Sequence, residues 1–400
     1  MKNKFLKNII IFAFSMVSVL VYFKILTQYV DVDILAEYFK VKALGLILYY
    51  LFSFRYSEFA YILKAERNYK ITRLKNIFGL YVIYPLLFSV VFIVIINISS
   101  LPLYVYILSY LIFLLNDVVD SYVSINRLYH NYLVIFFIKS ILIFKPLLFY
   151  IIFVESGFKI EFNAIFLFEL YFHFLFAIFI FFLILKKVDL KSLFLYKQVY
   201  LNNFVNIKNT WLGSISKIPY EALPTFLLSF FVSSLQFVEY NIARKVYSMV
   251  IYANQPFLQV LNTISLDFKT RFKKYSLLYY SIMTIINGII GFILFKFGMD
   301  VIGFFSEETY ATDHTLMLVY IMFCMYLFYS LIYPYRQFIV INKKLKENNK
   351  AIIFSIAVLL ILIVVFIPLY TTYAISVIQP FGLIIPLLLT FIFVKRNQKL

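Results

Sequence analysis

The sequence predicts an all-α integral membrane protein with twelve spanning helices in two parallel six-helix repeats. Bulk composition, the spacing of the apolar runs and the alternation of charge between those runs predict it. Of 400 residues, 64% are hydrophobic and only 14% are charged, and the mean hydropathy is +0.91. Soluble domains average about 45–50% apolar and about 25% charged residues. No soluble core of this size could bury so much apolar surface, so the solvent is largely lipid. The scarce glycine and moderate proline exclude collagen-like and linker-like chains. The single Cys324 cannot form an internal disulfide, and three histidines make a zinc site a poor expectation. No metal or other cofactor is expected.

A spanning helix needs about 20 mostly apolar residues. Twelve segments qualify, at approximately 9–27, 41–63, 77–97, 101–125, 132–154, 162–185, 212–235, 238–266, 276–299, 311–341, 351–369 and 373–394. The first resembles a signal peptide, but it lacks a small-residue cleavage site and similar segments follow, so it reads as a retained span. The runs are continuous rather than alternating, which excludes β-barrel strands.

The loops give an independent test. Every second one is basic: Lys2, Lys4 and Lys7; Lys64, Arg67, Lys70, Arg73 and Lys75; Arg127; then Lys186, Lys187, Lys191, Lys197 and Lys208. The series continues with Lys269, Arg271, Lys273 and Lys274, with Lys343, Lys344, Lys346 and Lys350, and with Lys395, Arg396 and Lys399. The intervening loops are neutral or acidic, with Asp31, Asp33 and Glu37, Glu155 and Glu161, Glu239, and Asp300, Glu307, Glu308 and Asp313. About 25 basic residues fall on one side and about 3 on the other, a bias that puts the basic side and both termini in the cytoplasm. A miscounted span would invert the alternation partway along. The net charge of +18 is thereby explained by topology, and nucleic acid is not an expected partner.

The longest loop, about 186–211, divides the chain into two groups of six spans, an arrangement of duplicated transporters. The expected domains are an N-terminal lobe at 1–190, a cytoplasmic linker at 191–210 and a C-terminal lobe at 211–400. Aligned without gaps, "AEYFKVKALGLILYY" (36–50) and "VEYNIARKVYSMVIY" (238–252) match Glu37-Tyr38 with Glu239-Tyr240, Lys42 with Arg244 and Tyr50 with Tyr252. Both stretches lead into the second span of their half from outside, which points to a parallel duplication.

At these residues the sequence resembles a bacterial polysaccharide flippase of the MOP (multidrug, oligosaccharidyl-lipid, polysaccharide) superfamily. The resemblance rests on "FVEYNIARKVYSMVIYANQPFLQVL" (237–261), similar to that family's Gly-Tyr-Tyr-x-x-Ala-x-[RK] opening of span 8, with glutamate where glycine is usual. It also rests on "DVDILAEYFKVKALG" (31–45), "VIGFFSEETYATDHTLMLVYIMF" (301–323) and "IPLYTTYAISV" (367–377). The last is similar to an Ile-Pro-x-Tyr-Gly-x-x-Gly-Ala turn but lacks both glycines. The resemblance implies a V-shaped, MATE-like transporter whose central cavity opens alternately to each side. Its implied substrate is a polyprenyl-diphosphate-linked oligosaccharide crossing the bacterial cytoplasmic membrane for O-antigen or capsule biosynthesis. Membrane lipid and a polysaccharide polymerase are the other implied partners.

Ionisable groups deep in lipid cost roughly 2.5–3.5 kcal/mol on insertion scales and usually face a cavity or a partner. Arg55 and Glu58 on span 2 are three residues apart. One reading is a local ion pair, with Glu58 alternatively snorkelling to the interface. The other is that Arg55 grips a diphosphate through its planar fork while Glu58 serves ion coupling. The resemblance to lipid II flippases, with cavity arginines on spans 1, 2 and 8, places Arg55 at the span-2 position and Lys24 at span 1. Span 8 offers only Asn254 and Gln255, with Lys217 as a replacement from span 7.

Asp117 and Asp120 on span 4 lie at depths similar to Lys145 and Lys139 on span 5, so interhelical ion pairs are expected, with Lys145 also a substrate-binding candidate. Glu169 and His173 share one face of span 6, either as a hydrogen-bonded pair or as a proton relay. Glu221, between Pro219 and Pro224 on a helix these prolines would kink, is an equal ion-coupling candidate.

A multidrug exporter of the same superfamily is the nearest rival, although a cavity for cationic drugs should be acidic and basic groups here at least match the acids. A membrane polymerase or glycosyltransferase would carry a long external loop with catalytic residues. The external loops here reach roughly 18 residues at most and lack an Asp/His/Arg constellation. An O-acyltransferase would need a buried catalytic histidine, for which only His173 is eligible. The expectation is a transporter and not an enzyme.

Overall fold

Caps and prolines, as much as hydropathy, set where the helices begin and end. The computed structural model describes residues 2–53, 56–57, 59–60, 63, 70–98, 104–158, 160–185, 197–215, 217–267, 272–341 and 345–397. Among these there is helix and no strand. The order is α1 Lys2–Tyr29, α2 Val32–Phe52, α3 Ile71–Ile98, α4 Tyr104–Leu128, α5 Tyr132–Ile141, α6 Phe144–Phe149 continued by a π-turn at Tyr150–Glu155, and α7 Phe162–Leu185. Then come α8 Lys197–Asn202, α9 Phe204–Ile215, a π-turn at Ile218–Ala222, α10 Leu223–Leu228, α11 Ser234–Asp267, α12 Phe272–Phe305, a 3-10 turn at Glu308–Tyr310, α13 Asp313–Ile341 and α14 Leu345–Asn397.

Seven described segments are long and apolar enough to cross a bilayer: Arg73–Phe92, Tyr104–Leu128, Tyr132–Glu155, Phe162–Ile184, Ser276–Phe305, Asp313–Leu331 and Phe354–Pro386. The last covers both of the final two expected spans. These meet only at Thr371, where φ 48 and ψ −121 interrupt α14. The expected seventh span is likewise not one helix. Pro219 and Pro224 divide it into α9, a π-turn and α10, because proline removes a backbone donor and clashes with the preceding turn.

Two boundaries differ from expectation for a capping reason. α2 begins at Val32 rather than about 41, since Asp31 Oδ1 accepts the Asp33 N–H at 2.9 Å, as an N-cap does. Glu37 and Lys40 therefore lie on the helix rather than in the loop before it. α11 begins at Ser234, with the Ser233 hydroxyl accepting the Gln236 N–H at 3.3 Å.

The chain divides into two compact units, Glu37–Ile218 and the pair of segments Met1–Ala36 with Pro219–Leu400. Packing groups α1 with the second-half helices because it lies against α11 and α12. The lobes expected at 1–190 and 211–400 divide the chain by repeat, which packing does not measure. Within the first unit α4 is central, packing on α3, α5 and α7. Its Leu108, Leu111, Leu115, Val118 and Ile125 are fully buried. Within the second, α13 packs on α11, α12 and α14, and α10 packs on α14.

Small residues let backbones approach, as is common where helices meet in lipid. A Cβ on Gly45 of α2 would overlap the Ser109 side chain and come within 2.9 Å of its backbone carbon. A Cβ on Gly288 of α12 would meet nothing within 4 Å. Gly45→Ala should therefore destabilise by about 1–3 kcal/mol, whereas Gly288→Ala should be neutral or gain about 0.5–1 kcal/mol from reduced backbone freedom. Thermal unfolding of both variants in detergent checks this, with the order of their midpoints as the readout.

Candidate functional site

The first unit buries a charge cluster around one carboxylate. Glu169 lies in the second turn of α7 and is 1% exposed. Its Oε1 accepts from Lys145 Nζ at 2.7 Å and from the Tyr38 hydroxyl at 3.1 Å. Its Oε2 pairs with Lys42. Lys42 and Tyr38 lie one turn apart on α2, so both reach the same point on α7. Lys145 reaches it because the helix of span 5 breaks between Ile141 and Phe144, placing Lys145 in the first turn of α6, just before Pro146.

A charge taken out of water needs close partners, and this cluster supplies them. The ammonium of Lys42 also lies 5.4 Å from the Tyr38 ring centroid and 5.3 Å from that of Phe113, in cation–π contact. Two ammonium groups face one carboxylate, so the ionised cluster carries an excess positive charge. The lysine side chains remain 20% and 15% exposed.

Some expected pairings form and others are replaced. Lys139 pairs with Asp120 at 3.2 Å, as depth suggested. Asp117 instead takes the Tyr81 hydroxyl, and Lys145 turns to Glu169. Glu169 and His173 share a face of α7, but the Glu169 oxygens are occupied by the two lysines and Tyr38. His173 is buried, and its Nδ1 has no hydrogen-bond partner among the described residues. The geometry thus replaces the expected Glu169–His173 hydrogen bond with a lysine-bridged carboxylate.

The second half presents a related arrangement with different chemistry. Tyr240, aligned with Tyr38, donates to Gln379 Oε1 on α14 at 2.7 Å. Each tyrosine thus bonds a polar residue on the last span of its own half. Arg244, aligned with Lys42, donates to Thr225 Oγ1 at 3.0 Å and to the Glu221 carbonyl at 2.7 Å. That carbonyl also accepts from Gln379 Nε2 at 3.3 Å. An interrupted helix leaves carbonyls without their usual partners, and here side chains from α11 and α14 meet one. The backbone at Glu221 thus anchors a kinked segment.

The remaining candidates are dispersed. Lys24 donates to the Gly303 carbonyl near the C-terminus of α12 at 3.4 Å and lies 5.6 Å from the Phe304 ring centroid, a placement that suits the helix dipole. Lys217 lies 5.9 Å from the ring centroid of Tyr50. Asn254 is fully buried and bonds Asn287 on α12 at 3.2 Å. Arg55, Glu58 and the Gln255 side chain lie outside the described residues. Lys42 and Tyr38 were missed as site residues. With span 2 expected to start near 41, they fell at its edge, although the repeat alignment had already singled both out.

No known protein-family profile matches the chain, and no curated protein does. Among solved structures it is similar to one described as the inward-facing conformation of a multidrug resistance MATE family transporter of the MOP superfamily. Identity is 10% and the TM-score 0.55, over 97% of this chain and 94% of that one. A likeness at this identity concerns the fold, which is that of a MATE-like, multi-pass membrane protein.

Removing the shared carboxylate leaves two ammonium groups facing each other in a buried site. Glu169→Gln should destabilise by about 3–5 kcal/mol. Asp120→Asn, which breaks a pair whose carboxylate is 54% exposed, should cost about 0–1 kcal/mol. Thermal unfolding in detergent separates the two, and Glu169→Gln should have much the lower midpoint.

Proposed function

From a MATE-like membrane fold with a lysine-rich buried centre, we propose that the chain is an alternating-access transporter, not an enzyme. Its substrate is a polyprenyl-diphosphate-linked oligosaccharide, flipped across the bacterial cytoplasmic membrane for surface polysaccharide biosynthesis. The observation that carries this reading is the cluster of Lys42, Lys145 and Glu169, in which two cations share one anion and both lysines keep some exposure. Such a centre attracts an anionic headgroup, which can bond the ammonium groups in place of the carboxylate. In this reading Arg55, from span 2, adds a bidentate contact to the diphosphate.

Export of cationic drugs is the second reading, and the multidrug description of the similar structure favours it. A cation needs a carboxylate with an open face. Asp117, Glu169 and Glu239, the buried carboxylates among the described residues, each already hold a donor. That observation favours the anionic substrate.

In a host that depends on this protein for surface polysaccharide, Arg55→Ala and Lys42→Gln should each reduce polysaccharide with the protein level retained. Loss of a charge-assisted hydrogen bond, worth about 1.5–3 kcal/mol, weakens headgroup binding by roughly 10- to 100-fold. Unchanged polysaccharide, together with increased sensitivity to cationic drugs, would establish the exporter instead. Loss of the Arg55→Ala protein itself would mark that residue as structural.

A further inference from the structure

A second polar cluster lies in the unit formed by Met1–Ala36 and Pro219–Leu400, and nothing in the flippase reading uses it. Glu239 in the first turns of α11 is buried, with its side chain 7% exposed, while that of His314 in the first turn of α13 is 24% exposed. Glu239 Oε2 lies 2.7 Å from His314 Nδ1, and Oε1 accepts from the Thr312 hydroxyl at 2.7 Å. His314 Nε2 lies 3.1 Å from the Thr372 hydroxyl of α14. Thr312 is also the N-cap of α13, accepting the Thr315 N–H at 3.2 Å. One imidazole therefore ties the beginnings of α11 and α13 to the interruption of α14.

The interruption is a strained point. Thr371 adopts φ 48, a conformation that is an outlier for a β-branched residue and persists only where the surroundings enforce it. The neighbouring Thr372 is buried, and its hydroxyl is held by His314. Histidine changes charge within the physiological pH range. In the neutral ring, one nitrogen donates to Glu239 and the other accepts from Thr372. Adding one proton at Nε2 makes both nitrogens donors, so the Thr372 hydroxyl turns from donor to acceptor and Glu239 gains a full counter-charge.

We propose that Glu239 and His314 form a proton-binding site that fastens α11 and α13 to the Thr371 interruption when it is loaded. Among the described residues, the adjoining elements bring several acidic and phenolic groups to this end. Tyr373 of α14 meets the His314 ring edge-on at 5.5 Å, and Asp313 precedes it on α13. Glu307 and Glu308 follow α12, and Asp31 follows α1. Burial first, then Glu307 and Asp31, raise the nearby Tyr310 phenol above its ordinary range. Basic groups on the same elements engage elsewhere. Lys24 bonds the Gly303 carbonyl, Lys245 lies over the Phe23 ring, Arg244 bonds Glu221 and Thr225, and Lys296 lies over Phe297. Among the described residues, His314 is the basic side chain paired with Glu239.

Hydrogen–deuterium exchange of the purified full chain in detergent, at about pH 5.5 and about pH 8, tests this. After correction for the intrinsic pH dependence of exchange, residues 370–376 and 311–316 should be about tenfold more protected at the lower pH, the equivalent of one charge-assisted hydrogen bond. His314→Gln and Glu239→Gln should abolish that difference in both segments. Thr372→Val should abolish it at 370–376 alone. Equal corrected exchange at the two pH values in the unaltered protein would overturn the proposal, as would an undiminished difference in folded His314→Gln. The unaltered protein's result decides even where a variant fails to fold.

Discussion

A single buried carboxylate organises the first unit. Glu169 cannot stay ionised among aromatic and aliphatic side chains without close donors, and it has three: Lys42, Lys145 and Tyr38. Each comes from a different part of the chain from Glu169 itself. The register of α2 against α7 follows from Lys42 and Tyr38 both reaching one point. The break before α6 has a consequence at the same place, because it brings Lys145 there. Gly45, on the same helix as Lys42, allows α2 to lie close against Ser109 of α4. Packing and electrostatics thus demand the same position of α2.

The two halves of the chain build on one pattern and diverge in charge. Tyr38 and Tyr240 make equivalent bonds, to Glu169 and Gln379. In the first half the partner is a carboxylate bridged by two lysines. In the second it is an amide, and the aligned cation, Arg244, meets a hydroxyl and a backbone carbonyl of the proline-broken segment. A duplicated scaffold does not itself require this difference. The first half holds an ionic centre of two lysines and one carboxylate, and the second half uses its cation to brace a kink. The further polar tie at Glu239, His314 and Thr372 uses the glutamate that aligns with Glu37, which in the first half pairs locally with Lys40.

Much of the architecture was legible because lipid imposes it. Hydropathy marks spans, and the charge alternation of the loops orders them, without any knowledge of packing. Helix starts were misplaced where polar caps carry a helix beyond its apolar run, as Asp31 and Ser233 do. The Asp-Val-Asp stretch held that signal. The partners within the site were less legible. Helical spacing places Glu169 and His173 on one face, but spacing within one helix does not reveal what another helix brings to it. Lys145 was identified as a buried cation, yet depth alone assigned it to Asp117 rather than to Glu169. His314 was read only as part of a longer stretch, since its partners lie 75 and 58 positions away in sequence.

The proposal that the Lys42–Glu169–Lys145 centre serves an anionic lipid-linked substrate rests on two cations sharing one carboxylate. The test is translocation of a polyprenyl-diphosphate oligosaccharide in vesicles reconstituted with the purified protein, compared with Lys42→Gln, which leaves Glu169 paired with Lys145, folded and inserted to the same extent. The unaltered protein should translocate it, and Lys42→Gln should lose translocation by at least about tenfold. Equal translocation by both proteins, or none by the unaltered protein alongside uptake of a cationic dye, would contradict it.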